Sequence, residues 1–108
     1  MTFNNNNNFE IHKHSPGIGS DGFIEKFSKH LISCINEKNM FIEHYGYGNY
    51  GIVSSSGIDL HIRYLENQNS NKCIVRTEKG KRLITKLGGE EELKEKYGIK
   101  EFQYCTKN

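Results

Sequence analysis

The side chains with the clearest chemical potential are the basic groups between positions 72 and 86. This stretch contains a single acid, Glu78, and six bases in fifteen residues: Lys72, Arg76, Lys79, Lys81, Arg82 and Lys86. The whole 108-residue chain has a formal net charge of only +2, so its positive charge is locally concentrated. Clustered lysine and arginine side chains bind phosphate backbones by charge and shape. The alternative is that these lysines only solubilise exposed strands and protect a sheet edge.

We predict that this basic stretch forms a β-hairpin. Lys72–Thr77 and Lys81–Leu87 are interpreted as strands, and Lys79–Gly80 between them suits a two-residue turn because glycine readily adopts positive φ. In this pairing both faces of the hairpin carry basic and apolar groups. We expect one face to pack on a helix and the other, extended by Arg63 of the preceding strand, to meet an anionic ligand.

The histidines and the glycine loop before the first helix are weaker candidates. The segment SPGIGSDG could bind an anion at a helix start, but it matches no phosphate-loop motif and its Asp21 would repel the anion. His12 and His14 share one side of a predicted strand, yet two histidines without a nearby carboxylate or cysteine make a poor metal site. No nucleophile, base and orienting group can be placed together. We therefore predict no catalytic residue, no metal and no cofactor.

Two further residue types bear on function. The cysteines Cys34, Cys73 and Cys105 are odd in number, widely spaced and without a C-x-x-C pair. We interpret Cys34 and Cys73, which sit among apolar residues, as buried small side chains in a reducing, cytoplasmic protein. The tyrosine–glycine stretch YGYGNYG at 45–51 could stack on bases or on a partner, or simply form a flexible hairpin.

Composition excludes other classes. No run of about 18 uncharged apolar residues is present, which predicts that no segment spans a membrane. The polar first eight residues lack the apolar core of a signal peptide. Because the run Asn4–Asn8 cannot bury apolar surface, we predict a disordered Asn-rich tail over residues 1–8 and a single domain over residues 9–108.

Hydrophobic periodicity indicates the elements that must position the basic groups. From Asp21 to about Glu37, apolar residues recur at steps of three and four, which predicts an amphipathic helix. A short second helix is predicted over Glu90–Tyr97, whose first turn is acidic. Strands are predicted at 39–43, 52–53, 58–65, 72–77 and 81–87. Residues 9–14 could form a short edge strand, and residues 102–105 are either a last strand or a tail.

These elements predict an α+β fold. One amphipathic helix should pack on an antiparallel sheet of four to five strands, beside the short second helix. The antiparallel arrangement is preferred because the connections look too short for parallel crossovers.

The basic stretch also resembles a known family. NKCIVRTEKGKRLITKL, residues 71–87, is similar to a segment of the larger of the two small Alu-domain subunits of the signal recognition particle. The matching residues are Asn71, Lys72, Cys73, Arg76, Gly80, Lys81 and Ile84. The upstream GFIEKFSKHLISCINEKNMFIE resembles the family's layout of a helix followed by a strand. The resemblance implies a helix, three antiparallel strands and a helix, an RNA-binding sheet, a small partner subunit and a cytoplasmic ribonucleoprotein role. The family's long second helix and basic C-terminal extension have no counterpart here.

Three functions follow in order of preference. The first is a non-enzymatic RNA-binding module that uses Lys72, Arg76, Lys79, Lys81, Arg82 and Arg63 on a basic sheet, with structured RNA as its partner. The second is a protein-interaction domain without a nucleic-acid role, which would use a strand edge or the tyrosine loop. The third is a small phosphate-handling enzyme built on the SPGIGSDG loop and a histidine.

Overall fold

One mixed sheet and three helices make up the part of the chain that the structure describes, residues 10–13, 21–35, 39–65 and 71–105. It is a computed structural model. Its elements, in chain order, are β1 (Glu10–Lys13), α1 (Asp21–Cys34), β2 (Phe41–Gly46), β3 (Asn49–Ser54), β4 (Gly57–Arg63), β5 (Lys72–Val75), α2 (Glu78–Lys86), α3 (Glu90–Tyr97) and β6 (Glu101–Tyr104). The predicted α+β class is confirmed.

The sheet is larger and less uniform than the sequence predicts. Its six strands lie in chain order from β1 to β6. Strands β2 to β5 pair antiparallel, whereas β1 joins β2, and β6 joins β5, in parallel. The prediction of four to five antiparallel strands therefore holds for the centre and fails at both edges. It failed because α1, and α2 with α3, are themselves the crossovers that parallel neighbours require.

The predicted basic hairpin is wrong in its second half. β5 supplies the first strand, but the chain turns at Thr77 into α2 rather than into a two-residue loop. Thr77 has extended backbone, with φ −136° and ψ 165°, and its hydroxyl caps the helix by accepting a hydrogen bond from the Gly80 N–H. Glu78 lies in the first turn and Lys86 in the last, which complements the helix dipole.

The remaining predicted elements agree more closely. α3 has the predicted bounds, α1 begins at the predicted Asp21 and ends at Cys34, and the final segment is a strand rather than a tail. The number of helices is three instead of two because of α2.

The predicted disordered tail at residues 1–8 lies outside the described residues. None of the described helices has the length and apolar character needed to cross a bilayer.

The core lies between the three helices and one face of the sheet. Phe23 of α1 stacks on Tyr64 after β4, with ring centroids 4.1 Å apart, and meets Tyr97 of α3 edge-on. Directly opposed pairs such as Ile52 and Leu60 supply the sheet side of the core. Of the cysteines, Cys73 is buried as predicted, whereas Cys34 and Cys105 are exposed. All three helices therefore cover the same face.

Candidate functional site

The opposite face of the sheet is the candidate site, because no described helix lies on it. Side chains alternate between the two faces of each strand, so the register assigns the residues on this face. We call it the open face, and its central members are Tyr45, Asn49, Gly51, His61, Arg63, Lys72 and Ile74, with Arg76 just beyond β5. Gly51, His61 and Ile74 oppose one another directly across β3, β4 and β5.

Three of the predicted basic residues come together here. Arg63 of β4 is directly opposite Lys72 of β5. Arg76 follows β5, and its backbone N–H donates a hydrogen bond of 2.9 Å to the Asp59 carbonyl, which continues the strand pairing by one position. Arg63 and Arg76 are exposed, and Lys72 is half-buried. Within residues 21–35, 39–65 and 71–105, no ion pair engages any of these three cations.

The other three predicted site residues, Lys79, Lys81 and Arg82, lie on α2 instead. The side chains of α2 that enter the core are Leu83 and Ile84, so its polar side faces away from the sheet. Lys81 forms an ion pair with Glu78 at 3.2 Å, and Arg82 is exposed. The structure therefore divides the predicted site between two sides of the molecule. The cause is the helix that replaces the predicted second strand.

His61 lies at the centre of the cations on the open face. Its Nε2 is 3.2 Å from Asn49 Oδ1, while Asn49 Nδ2 donates to the Gly46 carbonyl at 3.1 Å. This arrangement makes Nε2 the donor and leaves Nδ1 as the basic nitrogen. Burial lowers the pKa of His61 below 6.5, and the charges of Arg76, Lys72 and Arg63 lower it further. His61 is therefore neutral at pH 7.

Tyr45 adds an aromatic surface next to His61. Its ring lies against Gly51, because a Cβ built on Gly51 would be 2.9 Å from Tyr45 Oη and 3.0 Å from Cε2. The ring centroids of Tyr45 and His61 are 6.4 Å apart. Burial and the charge of Glu43 raise the pKa of Tyr45, so its phenol stays neutral at physiological pH. Sequence patterning points to the tyrosine–glycine stretch at 45–51 but does not distinguish Tyr45 from the other tyrosines in it.

Acidic groups flank the cations on both sides. Glu43 of β2 pairs with His12 at 2.8 Å, so His12 contacts a carboxylate; the predicted partner His14 lies outside the described residues. Glu101 of β6 is directly beside Lys72 and accepts a hydrogen bond of 2.8 Å from Gln103. The described residues contain no group of three or more side chains arranged to hold a metal ion. Among the described residues, the lysine and arginine side chains of the open face are thus confined to β4, β5 and Arg76, which follows β5.

No family model, curated protein or solved structure matches this chain. The resemblance to the Alu-domain subunit therefore stays a prediction. α1 precedes antiparallel strands and a helix follows them, but the antiparallel strands number four, β2 to β5, where the resemblance implies three.

Proposed function

We propose that this protein is a small, non-enzymatic RNA-binding module and that its ligand lies along β4 and β5 on the open face. The observation that carries the proposal is the grouping of Arg63, Lys72 and Arg76 around His61, on a sheet face that no described helix covers. No ion pair among the described residues engages these cations, so an anionic ligand can supply the counter-charge. The ribonucleoprotein role and the small partner subunit implied by the sequence resemblance belong to the same proposal.

The spacing of the cations favours a polymer over a single small anion. Arg63 and Lys72 are directly opposed, which places their Cα atoms about 5 Å apart. Arg76 is four positions beyond Lys72, and a strand rises about 3.3 Å per residue, so the two Cα atoms are about 13 Å apart. One phosphate cannot fill both places, whereas successive phosphates of a nucleic-acid backbone can. The contacts made here are therefore backbone contacts, which position the RNA and carry no sequence information directly.

The test is a salt titration of affinity for a fluorescently labelled RNA. Each phosphate that is neutralised contributes a slope of about −0.7 to log K against log salt for single strands, so three cations predict about −2. Double charge reversal of the open face, Arg63→Glu with Arg76→Glu, should abolish binding. The matched control on α2, Arg82→Glu with Lys86→Glu, changes the same amount of charge and should retain most of the affinity.

Two results would overturn the proposal. The first is no binding at low salt, which is what the alternative of a protein-interaction domain predicts. The second is loss of binding in the α2 variant with full binding in the open-face variant, which would move the RNA to the helical side. Circular dichroism of both double variants checks that each keeps the fold.

A further inference from the structure

We propose that the open face binds unpaired, single-stranded RNA and that Tyr45 is the surface on which one base stacks. This inference rests on the proposed function and names its ligand more narrowly. It covers unpaired segments within structured RNA, such as loops. A row of cations that binds phosphates would accept duplex and single-stranded RNA alike. The preference for unpaired RNA therefore comes from the aromatic ring and its position.

Gly51 is explained by the position of the Tyr45 ring. Gly51 is not among the residues with positive φ, so its backbone conformation is open to other residue types. A glycine in the interior of a strand weakens the strand by roughly 0.5–1 kcal/mol relative to alanine. What Gly51 provides is space, since a Cβ there would be 2.9–3.3 Å from three atoms of the Tyr45 side chain. The glycine allows the ring to lie across β3 toward β4.

The ring is available to a ligand. Tyr45 is 37% exposed, one of the large hydrophobic residues that remain at the surface. The bulge between His44 and Gly46 ends the regular pairing of β2 beside it. The phenol of Tyr45 is neutral near pH 7, and burial raises its pKa further, so the ring carries no charge that would repel a phosphate. A partly exposed aromatic ring on a sheet is suited to stacking because every base has a π-face.

Tyr45 also lies at a useful distance from the cations. Neighbouring strands are about 4.8 Å apart, and the ring reaches over β3 to within 6.4 Å of the His61 ring on β4. Arg63, two residues along β4, is on the same face as His61. A nucleotide can therefore place its phosphate near Arg63 and its base over Tyr45. A base inside a duplex is already stacked on both sides, so this contact requires an unpaired base.

The experiment compares the wild type and three variants, each with two forms of one RNA. Wild type, Tyr45→Leu, Tyr45→Phe and Tyr47→Ala are titrated against a labelled 12-nucleotide single strand and against the same strand annealed to its complement, at one ionic strength. Leucine keeps an apolar group over Gly51 but has no π-face, and phenylalanine keeps the ring. Tyr47, which is 67% exposed in the β2–β3 turn, is the matched control for loss of a surface tyrosine.

We expect the wild type to bind the single strand at least about tenfold more tightly than the duplex. Tyr45→Leu should lose about tenfold in single-strand affinity, consistent with the measured range for base stacking. Its salt slope should not change, because the phosphate contacts remain. Tyr45→Phe and Tyr47→Ala should stay within about twofold of wild type. A merely structural role for Tyr45 would lower the affinities for single strand and duplex together.

The outcomes separate this inference from the proposed function. Equal affinity for both forms, or full single-strand affinity in Tyr45→Leu, overturns the inference and leaves RNA binding by the cations intact. Absence of binding to either form at low salt overturns both.

Gly51→Ala tests the same role of the ring without removing Tyr45, because its new Cβ must displace the ring while Tyr45 is still present. Full single-strand affinity in that variant, with a displaced ring, also contradicts the inference.

Discussion

Thr77 Oγ1 donates a hydrogen bond of 2.6 Å to Asp59 Oδ1, which ties the start of α2 to β4. The same hydroxyl accepts from the Gly80 N–H at 3.0 Å, and Ser54 Oγ donates to the second carboxyl oxygen of Asp59 at 2.7 Å. Asp59 is completely buried. The two hydroxyl donors offset the cost of burying a carboxyl group. This network determines where the chain leaves β5, and therefore where Arg76 reaches the open face.

We expect Asp59→Ala to lower the free energy of unfolding by about 2–4 kcal/mol, because it leaves the hydroxyls of buried Ser54 and half-buried Thr77 without their acceptor. Thr77→Ala removes the helix cap as well as one donor, and should cost about 1–2 kcal/mol. Chemical denaturation measures both. The control is Thr85→Ala, whose exposed hydroxyl bonds only within its own helix and should change stability by less than about 0.5 kcal/mol. An Asp59→Ala variant as stable as this control would contradict the role of the network.

Two helical glycines should respond to alanine in opposite ways. A Cβ on Gly80 would be 2.3 Å from the Asp59 carbonyl oxygen, whereas nothing lies within 4 Å of a Cβ on Gly22. The backbone at Asp59 cannot yield without breaking its pairing, so Gly80→Ala should destabilise the protein by more than about 1 kcal/mol. Gly22→Ala should stabilise it by up to about 1 kcal/mol, because alanine has the better helix propensity. Thermal melts of both variants test this contrast, and stabilisation by Gly80→Ala would contradict the close approach.

The three thiols should differ in reactivity. Cys73 is buried, and burial, with the charge of Glu90, raises its pKa to about 12, whereas Cys34 and Cys105 are exposed. Since the thiolate is the reactive form, we expect iodoacetamide at pH 8 to modify two thiols per chain quickly and the third at least about 100-fold more slowly. Mass spectrometry with peptide mapping measures the rates, and denaturant should equalise them. Fast modification of Cys73 in the folded protein would show that β5 opens.

Local sequence patterns predicted α1 and α3 but not α2, and the reason lies in competing signals. In KRLITKL the alternation typical of a strand coexists with the helical spacing of Leu83, Ile84 and Leu87. Thr77 followed by Glu78 is a helix start that could have been recognised. The helix also packs Gly80 against Asp59, a contact between residues twenty-one positions apart that no local pattern contains. The parallel edges do not follow from the short connections, because α1, and α2 with α3, are themselves the crossovers.

The candidate site was predictable where strand register alone determines it. Arg63 and Lys72 lie on consecutive strands joined by a polar connection, so their opposition follows once the strands are aligned. Tyr45 is different, because its place depends on the bulge between His44 and Gly46 and on a neighbour without a side chain. Sequence patterning suggests that tyrosines here suit a strand surface, but it does not say which ring lies over which glycine.

Acidification should destabilise the junction of the three helices through His30. Its Nδ1 lies 2.8 Å from Tyr97 Oη. Burial, followed by the charge of Lys96, lowers the pKa of His30 below 6.5. The unfolded chain therefore takes up the proton first, so this contribution to stability is complete well above pH 6.5 and is lost as the pH falls through 6.5. We expect denaturation midpoints to fall from pH 7.5 to pH 5.5, and to fall less in His30→Gln. An equal fall in that variant would assign the effect to other groups.

RNA affinity should depend on pH through His61. In the free protein, burial and the charges of Arg76, Lys72 and Arg63 lower its pKa. A phosphodiester among these cations compensates their charge, so the pKa rises in the complex and binding takes up a proton. Affinity therefore increases as pH falls through the range below 6.5. Because each unit of pKa difference is worth up to tenfold in affinity, we expect a rise of about three- to tenfold from pH 8 to pH 5.5 at constant ionic strength.

His61→Gln isolates this effect, because a glutamine amide can still donate to Asn49 Oδ1 but cannot titrate. We expect its affinity to be nearly independent of pH, with a value near that of wild type at pH 8. His30→Gln is the matched control, since His30 titrates on the helical side and should leave the pH dependence of binding unchanged. NMR titration of the histidine ring protons, with and without RNA, follows His61 directly. A pKa for His61 that does not rise in the complex would place the bound phosphates away from Arg63, Lys72 and Arg76.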